Sequence, residues 1–140
     1  MATLKTYIVE DSAVIRENLI ATLEELAAVE VVGHAEDEAT ALKWLRGPSN
    51  ACHLGIIDIF LKQGSGLGVL QAMRHSGQAT KLVVLSNFAT PEVRRKCLAL
   101  GADRVFDKSH EIDALVRYCE RLASGSDVNE SAAGGLDVVP

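Results

Sequence analysis

The apolar residues of this chain change period several times before residue 122. Short β-rich runs, "TYIVED", "VEVVGHA", "LGIIDI", "KLVVLS" and "RVFDK", alternate with stretches whose apolar positions recur at helical spacing. Such alternation predicts five βα units and a mostly parallel sheet. The third and fourth runs are apolar enough to be central strands covered on both faces.

Helix signals fall between these runs. Ser12 is placed to N-cap a first helix with Val14, Ile15, Leu19, Leu23 and Leu26 inward, ending near Ala28. A second helix is predicted from Glu38 to Leu45, stopped by "GPSN" at 47–50, and a third from Leu67 to Arg74. The fourth is the best marked, with Thr90 as N-cap, Pro91 at the first helical position, Glu92 in the first turn and Gly101 as C-cap. A fifth, Ile112 to Leu122, turns Leu115, Val116, Cys119 and Leu122 inward. From Ser124 the chain is small and polar until its last few residues, so residues 4–123 are expected to form one domain and 124–140 a flexible tail.

Composition narrows the function classes. At 140 residues, 48% hydrophobic and 24% charged, the chain can bury one ordinary core. A net charge of -5 offers no electrostatic footprint for direct nucleic-acid contact by this domain. No apolar run approaches the ~20 residues of a membrane span, and no signal-peptide core follows Met1, which points to a cytoplasmic protein. Cys52, Cys97 and Cys119 are odd in number and widely spaced, so they read as free thiols rather than a disulfide or zinc set. His34, His53, His75 and His110 lack partners at helical spacing and read as structural or surface residues.

In an open parallel sheet the site lies beyond the carboxyl ends of the strands. Glu10 and Asp11 end the first strand, Asp58 the third, Ser86 the fourth, and Asp107 and Lys108 the fifth. Three carboxylates brought this close require a cation to stay ionised, and Mg²⁺ suits an all-oxygen set. The glycines of "QGSGLG" offer a competing reading as a phosphate cradle. They fail the G-x-G-x-x-G pattern at Val69, no G-x-x-x-x-G-K-[ST] occurs, and Gln63 spoils G-x-S-x-G around Ser65. The glycine loop is therefore read as a turn beside Asp58.

Four motifs, "IVEDSAVIRENL", "IIDIFLKQGSG", "VVLSNFA" and "GADRVFDKS", resemble in order and spacing the receiver domain of bacterial two-component response regulators, of the chemotaxis-regulator kind. The resemblance implies a three-layer, flavodoxin-like α/β fold with a five-stranded parallel sheet of order 2-1-3-4-5 and five helices. Lys108 would then lie two strands from Asp58, roughly 9 to 10 Å at ~4.8 Å per strand, within reach of a lysine side chain. It implies Asp58 as phosphoacceptor, Asp11 and Asp58 as direct Mg²⁺ ligands, Glu10 as a ligand through water, and the Phe60 carbonyl as a further ligand. Ser86 and Lys108 would hold phosphoryl oxygens. The implied donor is a sensor histidine kinase or phosphotransfer protein. The implied output is a surface of the fourth helix, fifth strand and fifth helix that meets a downstream target, an output domain or a second receiver. No separate substrate would be turned over.

The chain departs from the family pattern at several positions. Ser109 replaces the proline usual after the lysine, so the following loop is expected to run trans and to be differently shaped. Val105 stands where an aromatic is usual, with Phe106 on the opposite face. Lys62 stands where proline is common and Asn87 where smaller residues are frequent. Phe60 and Phe88 flank the site, where two apolar rings would keep water from the phosphoryl group. Arg94, Arg95 and Lys96 read as a solvated basic face. Rival readings are a pseudo-receiver that binds partners without phosphorylation, the receiver part of a longer transcriptional regulator, and an aspartyl-nucleophile phosphatase. The last would want D-x-D, whereas Phe60 stands two residues after Asp58.

Overall fold

The computed structural model describes residues 3–47, 50–74, 76 and 79–125; His75 and the expected tail from 126 onward fall outside the described residues. Elements alternate as β1 (Leu4–Val9), α1 (Ala13–Leu26), β2 (Val29–Ala35), α2 (Glu38–Leu45), β3 (Leu54–Ile57), α3 (Gly66–Arg74), β4 (Lys81–Ser86), α4 (Pro91–Ala99), β5 (Arg104–Asp107) and α5 (Ile112–Ser124). All neighbouring strands pair in parallel, and the sheet order is β2-β1-β3-β4-β5.

Strand alternation divides the core into two layers. Tyr7, Val9, Ile57, Val84 and Val105 face α2, α3 and α4, while Ile8, Ile56, Val83, Leu85 and Phe106 face α1 and α5. Val105 and Phe106 thus point to opposite faces, as the strand period predicts. Tyr7 stacks on Trp44, ring centroids 4.3 Å apart.

The expected caps Ser12 and Thr90 form, and Asp37 caps α2 in the same way, each side chain reaching a first-turn amide. Ser12 accepts from Ile15 N–H, Asp37 from Thr40 N–H and Thr90 from Val93 N–H. At the end of α4 the cap is Leu100, and Gly101 follows it at φ +109°, one position beyond the expected cap.

Two sequence expectations need correction. In α1 the buried residues are Arg16, Leu19 and Leu23, an i, i+3, i+7 stripe, while Val14, Ile15 and Leu26 are exposed at 69%, 39% and 52%. The stripe that meets the sheet begins on a charged residue, so apolarity alone set the helix phase wrongly. On α4, Arg95 and Lys96 are exposed as expected, but Arg94 is half-buried and turned inward. Cys97 and Cys119 are buried free thiols and Cys52 is half-buried. His34, His53 and His110 are exposed.

Candidate acidic phosphoacceptor site

Strand register brings the chemistry together. Ile8 pairs with Ile56 across β1 and β3, and the same alternation two residues on places Glu10 and Asp58 side by side. Lys108 continues the phase of Phe106 on β5 and reaches back over the sheet end. Its Nζ donates to Glu10 Oε1 at 2.6 Å and to Asp58 Oδ2 at 2.9 Å. These are enclosed ion pairs, with side-chain exposures of 10% for Lys108, 4% for Glu10 and 10% for Asp58.

One carboxylate oxygen from each of Glu10, Asp11 and Asp58 lies within 4.8 Å of the other two. Hard oxygen donors at that spacing fit a small divalent cation that retains part of its water shell. Burial alone would lower the Lys108 pKa, but its hydrogen bonds and charge contacts with Glu10 and Asp58 outweigh burial and hold it above the ordinary lysine value. The ammonium is the cation that the grouped acids require.

One support comes from Arg16, which sequence reasoning passed over. Buried Arg16 donates to the Glu10 carbonyl at 2.9 Å and pairs with Glu36 at 3.5 Å, which fixes the turn carrying Glu10 and Asp11. Glu10 Oε2 accepts from Ser12 N–H at 3.0 Å. Its signal lay in the helix itself, since Arg16 is i−3 from Leu19 and i−7 from Leu23.

Ser86, fully buried, accepts from Phe88 N–H at 3.1 Å, and among the described residues its hydroxyl hydrogen meets no acceptor. Phe60 and Phe88 meet edge to face at the rim, centroids 5.6 Å apart and planes at 86°. Both rings are more than half exposed. Beside the Lys108 stem, Ile15, Leu19, Leu85, Asn87 and Ile112 line a cleft of about 320 Å³.

Beyond the site, Arg94 ties three segments together. Nε donates to the Ala89 carbonyl at 2.9 Å, Nη1 to the Val105 carbonyl at 3.0 Å and Nη2 to Glu111 Oε1 at 2.7 Å. Glu111 Oε1 also accepts from Asp107 N–H at 2.9 Å. The loop after Ser86 and the loop after Lys108 are therefore joined through one guanidinium. The Lys108–Ser109 peptide is trans, and Asp107 Oδ1 closes this loop by accepting from the N–H groups of Ser109 at 2.7 Å and His110 at 3.1 Å.

The glycines have an occupant. Gly64 adopts φ +77°, and a Cβ on Gly64 or Gly68 would strike Glu38. Glu38 Oε1 instead accepts from Ser65 N–H at 2.9 Å. The loop turns beside Asp58 as expected, and the space its glycines leave is filled by a carboxylate of the chain itself.

Comparison with known proteins agrees with this geometry. Residues 6–120 match the family model for the response regulator receiver domain. A "probable transcriptional regulatory protein" of Picosynechococcus sp. is 35% identical over 120 residues, covering 82% of this chain and 47% of that protein. Protein-glutamate methylesterase/protein-glutamine glutaminase 5 of Myxococcus xanthus is 28% identical over 130 residues, covering 84% and 37%. The chain thus spans under half the length of these relatives.

Among solved structures, the Francisella response regulator 1452 receiver domain superposes with a TM-score of 0.78 at 22% identity, covering 89% of this chain and 99% of that one. The response regulator domain of Thermotoga maritima CheB gives 0.76 at 20% identity, covering 86% and 96%. No helix among the described residues is long and apolar enough to cross a membrane. The family match runs through all five strand ends from Glu10 to Lys108, and the chain belongs to the response regulator receiver domain family.

Proposed function

We propose that residues 4–123 act as a phosphoryl-accepting switch with Asp58 as the acceptor. The observation that carries this reading is the enclosed contact of Lys108 with Asp58 and Glu10, beside Asp11, at the carboxyl edge of the sheet. Asp58 and Asp11 would hold Mg²⁺ directly, Glu10 through water, with the Phe60 carbonyl completing the protein's donors. Mg²⁺, when bound, supplies positive charge for the phosphoryl oxygens.

An Asp58 carboxylate oxygen forms the bond to phosphorus as the donor's phosphorus–nitrogen bond breaks, and the donor imidazole leaves. Phosphoryl transfer asks mainly for alignment and charge neutralisation, which suits a modest nucleophile. Lys108 follows the charge from the carboxylates to the phosphoryl oxygens, and Ser86 donates its hydroxyl hydrogen once the loop after β4 turns. Hydrolysis returns the carboxylate and inorganic phosphate. The donor is proposed to be a histidine kinase or phosphotransfer protein. The output is proposed to be a changed α4, β5 and α5 surface, open to a downstream protein, an output domain or a second receiver. On this reading the domain catalyses its own phosphorylation and hydrolysis and works in the cytoplasm.

The test is intact mass after incubation with acetyl phosphate and Mg²⁺. One added phosphoryl group is expected, absent in Asp58→Asn and absent when EDTA replaces the metal. A wild-type mass that stays unchanged under conditions that preserve acyl phosphates would replace this reading with the pseudo-receiver.

A further inference from the structure

The loop from Asp58 to Ser65 carries the proposed acceptor and the proposed Phe60 carbonyl ligand, and it is braced from outside by a residue that reading does not use. Glu38, first residue of α2, accepts from Ser65 N–H at 2.9 Å, and its own N–H donates to the Gln63 carbonyl at 3.2 Å. Ser65 forms an isolated antiparallel bridge with Phe60, and its hydroxyl donates to the Ile59 carbonyl at 3.4 Å. Gly66 N–H donates to the same Ile59 carbonyl at 2.9 Å. A Cβ on Gly66 would strike the Asp58 carbonyl, so the loop already lies as close to the acceptor's backbone as it can. From Glu38 the contacts therefore run through Ser65 to the backbone at Ile59 and Phe60. Gly64 and Gly68 are what let the carboxylate in, because a side chain at either would displace it.

We propose that Glu38 is a positioning residue for metal binding: its carboxylate, seated against Gly64 and Gly68, holds the Asp58–Ser65 loop so that the Phe60 carbonyl faces the acids. The proposal rests on the Mg²⁺ reading above. Two simpler roles make different predictions. A purely stabilising Glu38 changes unfolding but leaves metal affinity alone. A purely electrostatic Glu38 attracts the cation through space by its charge, wherever the loop lies.

Calorimetric titration of the whole chain with Mg²⁺ separates them, using wild type, Glu38→Ala, Glu38→Gln and Gly68→Ala, with urea unfolding in EDTA as a fold check. Glu38→Gln removes the charge but keeps an acceptor for Ser65 N–H, whereas Gly68→Ala keeps the charge but expels the carboxylate from its seat. The expected result is about tenfold weaker Mg²⁺ binding for Glu38→Ala and Gly68→Ala, and Glu38→Gln within about twofold of wild type. Glu38→Gln binding as weakly as Glu38→Ala would overturn the proposal in favour of charge. Wild-type affinity in Gly68→Ala or Glu38→Ala would overturn positioning altogether. If Glu38→Ala does not fold, the Gln and Gly68→Ala pair decides alone. Wild type that binds no Mg²⁺ would remove the metal reading itself, and this inference with it.

Discussion

Lys108→Met is the most informative single change, because it removes the ammonium and keeps most of the stem. In the wild type that ammonium sits 2.6 Å from Glu10 and 2.9 Å from Asp58, in side chains exposed by only 4 to 10%. Screened surface pairs are worth under about 1 kcal/mol, but these pairs are enclosed. Taking one partner from a buried pair leaves uncompensated charge and costs about 3 to 5 kcal/mol. Here two carboxylates lose their cation, with Asp11 close by as a third negative group. In EDTA, Lys108→Met should therefore unfold with a free energy about 3 to 5 kcal/mol below wild type. Total stabilities of about 5 to 15 kcal/mol leave that measurable.

Metal should reverse part of this loss. A divalent cation among the same acids replaces the missing charge in the variant, whereas in wild type it competes with Lys108 for Asp58 and Glu10. Binding to the native state adds RT ln(1 + [Mg²⁺]/Kd), so a tenfold tighter site in the variant narrows the gap by about 1.4 kcal/mol at saturating metal. Urea unfolding followed by the fluorescence of Trp44, the only tryptophan, reads both quantities in EDTA and in Mg²⁺. A deficit of the same size in both buffers would refute the idea that Lys108 and the metal serve the same carboxylates. A deficit under about 1 kcal/mol in EDTA would show that the pairs are effectively solvent-screened.

Two further outcomes follow from other contacts. Phe88→Glu removes one ring of the edge-to-face pair and sets a carboxylate where it can orient water, so the acyl phosphate should decay several-fold faster by intact-mass time course; an unchanged half-life would mean the rings do not exclude water. The Glu111 pKa is lowered chiefly by the Arg94 hydrogen bond, so this pair's stabilisation is fully present above the unfolded glutamate pKa and is lost as pH falls through the lower folded value. Wild type should accordingly lose more stability than Glu111→Gln between pH 5 and pH 3, by at most about 1 kcal/mol because the paired side chains are 35% and 36% exposed to solvent. Parallel urea curves for the two proteins across that range would remove the Arg94 pair from the stability argument.

The fold was legible because both periods are strong where the sheet is buried. Ile56 and Ile57 face opposite layers, as do Val105 and Phe106, and strand alternation alone places them so. The clustering of Glu10, Asp11 and Asp58 was legible because they follow the ends of β1 and β3, and a parallel sheet gathers strand ends on one edge. The first helix was misread for a physical reason. A helix face is recognised by apolar residues, but Arg16 buries its stem with the stripe and spends its guanidinium on the Glu10 carbonyl. Val14 and Ile15, apolar yet exposed, pulled the phase the other way.

Arg94 and Glu38 escaped for a related reason. Each is a long charged side chain bonded to main-chain groups near the site: Arg94 to the Ala89 carbonyl in the loop after β4 and to the Val105 carbonyl in β5, Glu38 to Ser65 N–H. A sequence shows charges but not backbone acceptors, so such residues look like ordinary solvated surface. The glycines are the complementary case. A glycine reports that no Cβ fits, through backbone conformation at Gly64 and through a neighbour at Gly66 and Gly68, without naming that neighbour. At Gly66 it is the Asp58 backbone, and at Gly68 it is the Glu38 carboxylate. The same three glycines that suggested a cradle for a phosphate thus close one loop onto Asp58, the proposed acceptor, and seat one carboxylate behind it. The loop shapes the site from outside while the strand ends supply its chemistry.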